Sequence, residues 1–187
     1  MNVPERLTWA ADLLDVQPSD KVLEIGCGSG VLAALICTRL VEGRMVGIDR
    51  SATMITAATK KNRQHIADGR ARFLPVALKD AAFPGELFNK VVAVNVNVFW
   101  LRPEKELAAI HALLAPKATL YLVYQPPSAD KTQQVAAQVR QHLESNGFSV
   151  MDILFRDMKP GSAVCVMAES RGSKMATHLD ANSNFLD

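Results

Sequence analysis

The sequence predicts an α/β domain built on a seven-stranded sheet, mostly parallel, closing in an antiparallel C-terminal hairpin and carrying helices on both faces. Three observations predict it. Strand-like and helix-like segments alternate almost from end to end, the pattern of βα units that lay helices on a parallel sheet. Val91, Val92, Val94 and Val96 fall in one short run and read as a core strand apolar on both faces. Only DMKPG (157–161) separates the last two strand-like segments, too short for the dozen or more residues of a parallel crossover, so these two pair antiparallel.

In order, residues 5–15 read as an opening helix, KVLEIG (21–26) as the first strand, and SGVLAALICTRLV (29–41) as a helix too apolar for the surface alone. RMVGID (44–49) is the second strand, followed by a helix from Ser51, placed as its N-cap, to about Gln64. ARFLPV (71–76) is a third, weaker strand and KVVAVNV (90–96) the fourth. Pro103 opens a helix to about Ala115, with Leu107, Ile110, His111 and Leu114 at i, i+3, i+4 and i+7. ATLYLVY (118–124) is the fifth strand, and Asp130–Asn146 a long helix with Gly147 at its C′ position. FSVMDILFR (148–156) and SAVCVMAE (162–169) complete the sheet. The domain is expected over 1–169, and residues 170–187 as a polar, mostly disordered tail.

At about 150 residues per domain, 187 residues hold one core. Lys+Arg 21 against Asp+Glu 19 gives a net charge of +2, with 49% hydrophobic residues, an ordinary globular balance that predicts no nucleic-acid partner. The longest apolar run, Val31 to Cys37, is far below the roughly 18 residues of a membrane span. Glu5, Arg6 and Asp12 stand in the opening segment where a secretory leader needs apolar residues, so no membrane and a cytoplasmic location are expected. Cys27, Cys37 and Cys165 are odd in number and widely spaced, supporting neither a disulfide framework nor a metal or redox motif.

The chemistry gathers after the first strand, which runs into Gly26-Cys27-Gly28-Ser29-Gly30 before a helix begins. Glycines permit positive φ and close backbone approach, and the helix N-terminus offers unpaired N–H groups, together a cradle for a nucleotide. Asp49 closes the second strand, 23 residues after Gly26, where a carboxylate accepts from both hydroxyls of a ribose. The dinucleotide fingerprint is GxGxxG, whereas here Val31 stands in the place of its last glycine.

VLEIGCGSG with VGIDRSATMI resembles the first two motifs of the class I S-adenosylmethionine-dependent methyltransferases, over about residues 5–169. The resemblance implies a Rossmann-like fold and S-adenosylmethionine as cofactor. It implies that Glu24, Gly26, Cys27, Gly28 and Gly30 lie against the methionine and ribose portions, that Asp49 binds the ribose, and that Arg50 and Met54 flank adenine. Many relatives carry an acid after the third strand for the adenine amino group; here stand Val76, Ala77 and Leu78, so backbone contact serves or Asp80 reaches in. Asn95 and Val96 match the position that meets the methionine moiety and the substrate.

NVNVFW (95–100) lacks the Pro-Pro of relatives that methylate planar amines and the carboxylates that would hold Mg²⁺, which predicts a small organic acceptor and no metal. Trp9, Asn97, Trp100 and Tyr124 are the candidate substrate contacts, Arg6 and Trp9 arriving as a lid on the opening helix. His65, His111 and His142 lie well down helices that run away from the strand ends, and His178 lies in the tail, so no catalytic base is assigned. Positioning and partial desolvation then supply the acceleration. With no inserted domain the site is expected to be open, or completed by a second subunit in a homodimer. The principal rival is a non-catalytic S-adenosylmethionine-binding regulatory or scaffold module. Aminopropyl transfer fits less well because the segments after the strands are neutral, and a nicotinamide-dependent oxidoreductase because of the glycine spacing.

Overall fold

The computed structural model describes residues 3–171; most of the expected tail, 172–187 with His178, lies outside the described residues. Seven strands form one sheet, β1 (Lys21–Ile25), β2 (Arg44–Ile48), β3 (Ala71–Leu74), β4 (Phe88–Val94), β5 (Leu114–Tyr124), β6 (Phe148–Arg156) and β7 (Ala163–Ser170). Their order is β3-β2-β1-β4-β5-β7-β6. The first five run parallel to one another, β7 pairs antiparallel with both β5 and β6, and the expected C-terminal hairpin is present.

The period-2 alternation of each strand sorts its side chains into two apolar layers. Val22, Met45, Val92, Tyr121, Val123 and Cys165 face one layer, filled from α1 (Glu5–Leu14) and α2 (Val31–Cys37). Leu23, Val46, Val91, Leu120, Leu122 and Val166 face the other, filled from α6 (Glu104–Leu113) and α7 (Ala129–Ser145). Phe99, from the short α5 (Val98–Leu101), joins this second layer.

Several boundaries differ from the sequence reading for local reasons. β3 stops at Leu74 because Pro75 has no N–H to continue the ladder. The helix expected from Ser51 to Gln64 is two helices, α3 (Ala52–Lys61) and α4 (Arg63–Ala67), parted at Asn62. Ser51 does cap α3, its hydroxyl accepting from the Met54 N–H at 3.3 Å. α2 is shorter than expected at both ends, beginning only after Gly30. α6 ends at Leu113 since Pro116 disfavours helix in the residue before it, and the chain enters β5 directly. No helix among the described residues is long and apolar enough to cross a membrane.

Candidate functional site

Because β2 and β3 lie on one side of β1 and β4 on the other, the chain reverses its direction of travel across the sheet at the β1/β4 boundary. Outside the carboxyl ends of these strands the connections diverge and leave a crevice, the usual binding place in an open α/β sheet. A cleft of about 420 Å³ opens there. Gly26 comes to it from β1, Asp49 and Arg50 from β2, Val76, Ala77 and Leu78 from β3 and a 3₁₀ turn (Leu78–Asp80), and Asn95, Val96, Asn97 and Val98 from β4. Glu106 of α6 completes the wall.

The glycine turn is tied to β2, with the N–H groups of Gly26 and Cys27 both donating to the Ile48 carbonyl at 2.8 and 3.0 Å. Gly26 has φ +70°, and a Cβ there would stand 2.7 Å from Val96 Cγ2. Gly30 has φ +71° and meets a different obstacle, since a Cβ would stand 2.5 Å from Asn62 Nδ2 and 2.9 Å from Ala58 Cβ. Asn62 is fully buried and donates from Nδ2 to the carbonyls of Gly30 and Ala58, both at 2.9 Å, so it pins the turn to α3. Asp49 accepts from the Gly28 N–H (3.0 Å, Oδ2) and the Ser51 N–H (2.9 Å, Oδ1), which fixes the carboxylate plane at the mouth of the cleft with a lone pair free on each oxygen.

Beneath the turn Glu24 is 4% exposed, with Oε2 lacking any partner among the described residues. Burial pushes its carboxyl up to about 8, the Ala33 N–H of α2 draws it down, and the charge of Asp49 adds to the rise. Cys27 is buried, and burial, then Glu24 and Asp49, push its thiol up, the reverse of what a nucleophile needs. Neither side chain, nor Gly28, Gly30 or Met54, borders the cleft; Met54 is 41% exposed on α3.

At the β4 end Asn95 takes φ +56°, which an Asn side chain tolerates when it bonds locally. Its N–H donates to Val123 O at 2.8 Å and its Oδ1 accepts from Gln125 N–H at 2.9 Å, clamping β4 to β5 where the chain turns over the cleft. Asn97 borders the cleft and accepts from Trp100 Nε1 at 3.3 Å, while the Lys131 ammonium lies 5.1 Å from the centre of the Trp100 ring.

Two expected substrate contacts sit elsewhere. Tyr124 is 3% exposed, donates its hydroxyl to Val96 O at 2.9 Å, and has that hydroxyl pushed up by burial, so it braces the loop and presents no group to a ligand. Trp9 faces inward in the layer of α1 and α2 and borders a separate groove with Thr8 and Lys159, because the apolar stripe of α1 turns it to the core. Asp80 stays outside the cleft too, its side chain 63% exposed beside Lys79. His111 lies at the other end of the strands, between Ser170 Oγ (2.9 Å) and Asn146 O (2.8 Å), stacked on Phe148. Asn62 and Glu106 escaped the sequence reading. A poor helix former inside an expected helix was the one signal for Asn62, and nothing in the spacing marked Glu106.

A glycine turn and an acid at the end of the second strand meet at the switch point of an α/β sheet that ends in an antiparallel pair. The sequence profile of the family described as "Methyltransferase domain" matches residues 22–117. The chain belongs to that family, the class I methyltransferases. It is 26% identical over 165 residues to an uncharacterized methyltransferase of Bacillus subtilis (YdaC), covering 86% of this chain and 89% of the relative. It is 28% identical over 139 residues to the trans-aconitate 2-methyltransferase of Delftia acidovorans, covering 72% of this chain and 50% of that one. Among solved structures, magnesium protoporphyrin IX methyltransferase of Synechocystis with bound S-adenosylmethionine superposes with a TM-score of 0.61 at 24% identity, over 87% of this chain and 74% of that one.

Proposed function

We propose that the protein is an S-adenosylmethionine-dependent methyltransferase acting on a small-molecule acceptor. The carrying observation is Asp49, held by Gly28 and Ser51 at the mouth of a cleft that Gly26, the first residue of the glycine turn, lines. At about 420 Å³ the cleft falls within the roughly 300–1,000 Å³ of small-ligand sites.

The residues fit the cofactor as follows. Asp49 receives the ribose hydroxyls, the wall of Val76, Ala77, Leu78 and Val98 packs the base, and Gly26, Asn95 and Val96 flank the methionine portion. S-adenosylmethionine, when bound, supplies a methyl group on a sulfonium with a neutral thioether as leaving group. What the chain adds is orientation: Asn62 fixes the turn, Tyr124 and the Asn95 clamp fix the Val96 backbone, and Asn97, held by Trp100 from outside the cleft, forms the near side of the acceptor space. Holding reactants in line this way is a large part of a bimolecular barrier. The trans-aconitate specificity of one relative favours a small acceptor.

The non-catalytic binding module remains the second reading, favoured by the sealed hydroxyl of Tyr124 and the distance of His111 from the cleft. Calorimetric titration with S-adenosylmethionine and S-adenosylhomocysteine tests the cofactor site. Micromolar binding that falls by about tenfold or more in Asp49→Ala is expected, the worth of one charge-assisted hydrogen bond. No binding of either compound to folded protein overturns the reading. Transfer of labelled methyl to any acceptor removes the second reading.

A further inference from the structure

Resting on the reading of the cleft as an S-adenosylmethionine site, we infer that Glu106 is the residue that selects adenine, by accepting a hydrogen bond from its 6-amino group. The base end of the cleft is an apolar slot, walled by Val76, Ala77, Leu78 and Val98. A purine face suits such a slot, but an exocyclic amine taken out of water there needs an acceptor. The two carbonyls that open the 3₁₀ turn are already engaged, Ala77 O by the Asp80 N–H and Leu78 O by the Ala81 N–H, at 2.9 and 3.1 Å. Asp80 points away to solvent. Arg50 borders the cleft but offers only donors.

Two carboxylates border this cleft, and they come from different elements. Asp49 ends β2 and is turned to its own loop. Glu106 stands in the first turn of α6, and α6 lies on the 3₁₀ turn because Leu78 packs in the same core as Leu107 and Ile110. Glu106 is half-buried and, among the described residues, has no ion-pair or hydrogen-bond partner. An uncommitted carboxylate beside an apolar slot discriminates an amine, which donates, from a 6-oxo group, which repels it. Sites built around one hydrogen bond reject the analogue that lacks it strongly.

The test compares S-adenosylhomocysteine with its deaminated analogue S-inosylhomocysteine, by calorimetry on wild type, Glu106→Leu, Glu106→Gln and Asp49→Ala, each checked for its melting transition. Wild type is expected to prefer the adenine compound by tenfold or more. Glu106→Leu narrows the preference to threefold or less, and Glu106→Gln, whose amide offers either an acceptor or a donor, flattens it as well. Asp49→Ala weakens both compounds while keeping the preference. An unchanged preference in folded Glu106→Gln or Glu106→Leu overturns the assignment and leaves the cofactor reading standing. Failure of wild type to bind S-adenosylhomocysteine overturns both.

Discussion

Glu24, near the carboxyl end of β1, and His111, on α6 at the other end of the strands, are polar side chains that the fold treats in opposite ways. His111 has both ring nitrogens engaged, by Ser170 and by the Asn146 carbonyl, and its ring stacked 4.1 Å from that of Phe148. It ties α6 to β6 and β7 and leaves nothing for a ligand. Glu24 is more deeply buried and keeps an oxygen without a partner, its carboxyl held near neutrality up to about pH 8. Unfilled hydrogen-bonding capacity thus accumulates under the glycine turn and is absent from the His111 knot. A buried group without a partner costs about 1–3 kcal/mol, so Glu24 is held at a cost to stability that His111 does not carry.

Four substitutions would break or sharpen this contrast. Gly26→Ala is expected to do the most damage, since the new Cβ meets Val96 Cγ2 at 2.7 Å in a backbone conformation that L-residues avoid. A stability loss of about 3 kcal/mol in chemical denaturation should accompany a tenfold or greater loss of S-adenosylhomocysteine affinity. His111→Ala should cost about 2 kcal/mol by the same measurement and leave affinity unchanged, because the knot is remote from the cleft; a large affinity loss would erase the distinction between the two residues.

Glu24→Gln should act in the reverse sense. In the native state Glu24 keeps its proton to about pH 8 while the unfolded chain releases it near 4.5, so wild-type stability declines as pH rises between those values. The variant lacks that slope. Its unfolding free energy should therefore gain on wild type from pH 5 to pH 8, by about 1.4 kcal/mol per pH unit and so about 4 kcal/mol over the range, while its affinity for S-adenosylmethionine falls. A constant difference across this range would show that Glu24 is ionised in the native protein. Tyr124→Phe should have the smallest effect, about 1 kcal/mol from the orphaned Val96 carbonyl, with methyl transfer retained. Abolished transfer in a folded variant would return the Tyr124 hydroxyl to the chemistry.

Much of this was legible in the sequence because it depended on neighbours along the chain. The glycine turn, Asp49 at the end of β2, and the antiparallel pairing of β6 with β7 are all consequences of spacing within a few dozen residues. Tyr124 and Trp9 misled because residue type and strand or helix position do not say which way a side chain turns. An aromatic at a strand end is equally suited to a cleft or to the core, and the hydroxyl of Tyr124 was claimed by a carbonyl 28 residues earlier.

The sequence by itself determined the α/β class, the cradle and the acid beside it, since these are set by backbone conformations and periodicities that a short stretch of chain already encodes. Only the tertiary structure decided that Asn62 would pin Gly30 and that Glu106 would line the cleft. Both depend on how separate helices pack on the sheet, and that packing follows from the fit of two apolar layers, which no local pattern contains.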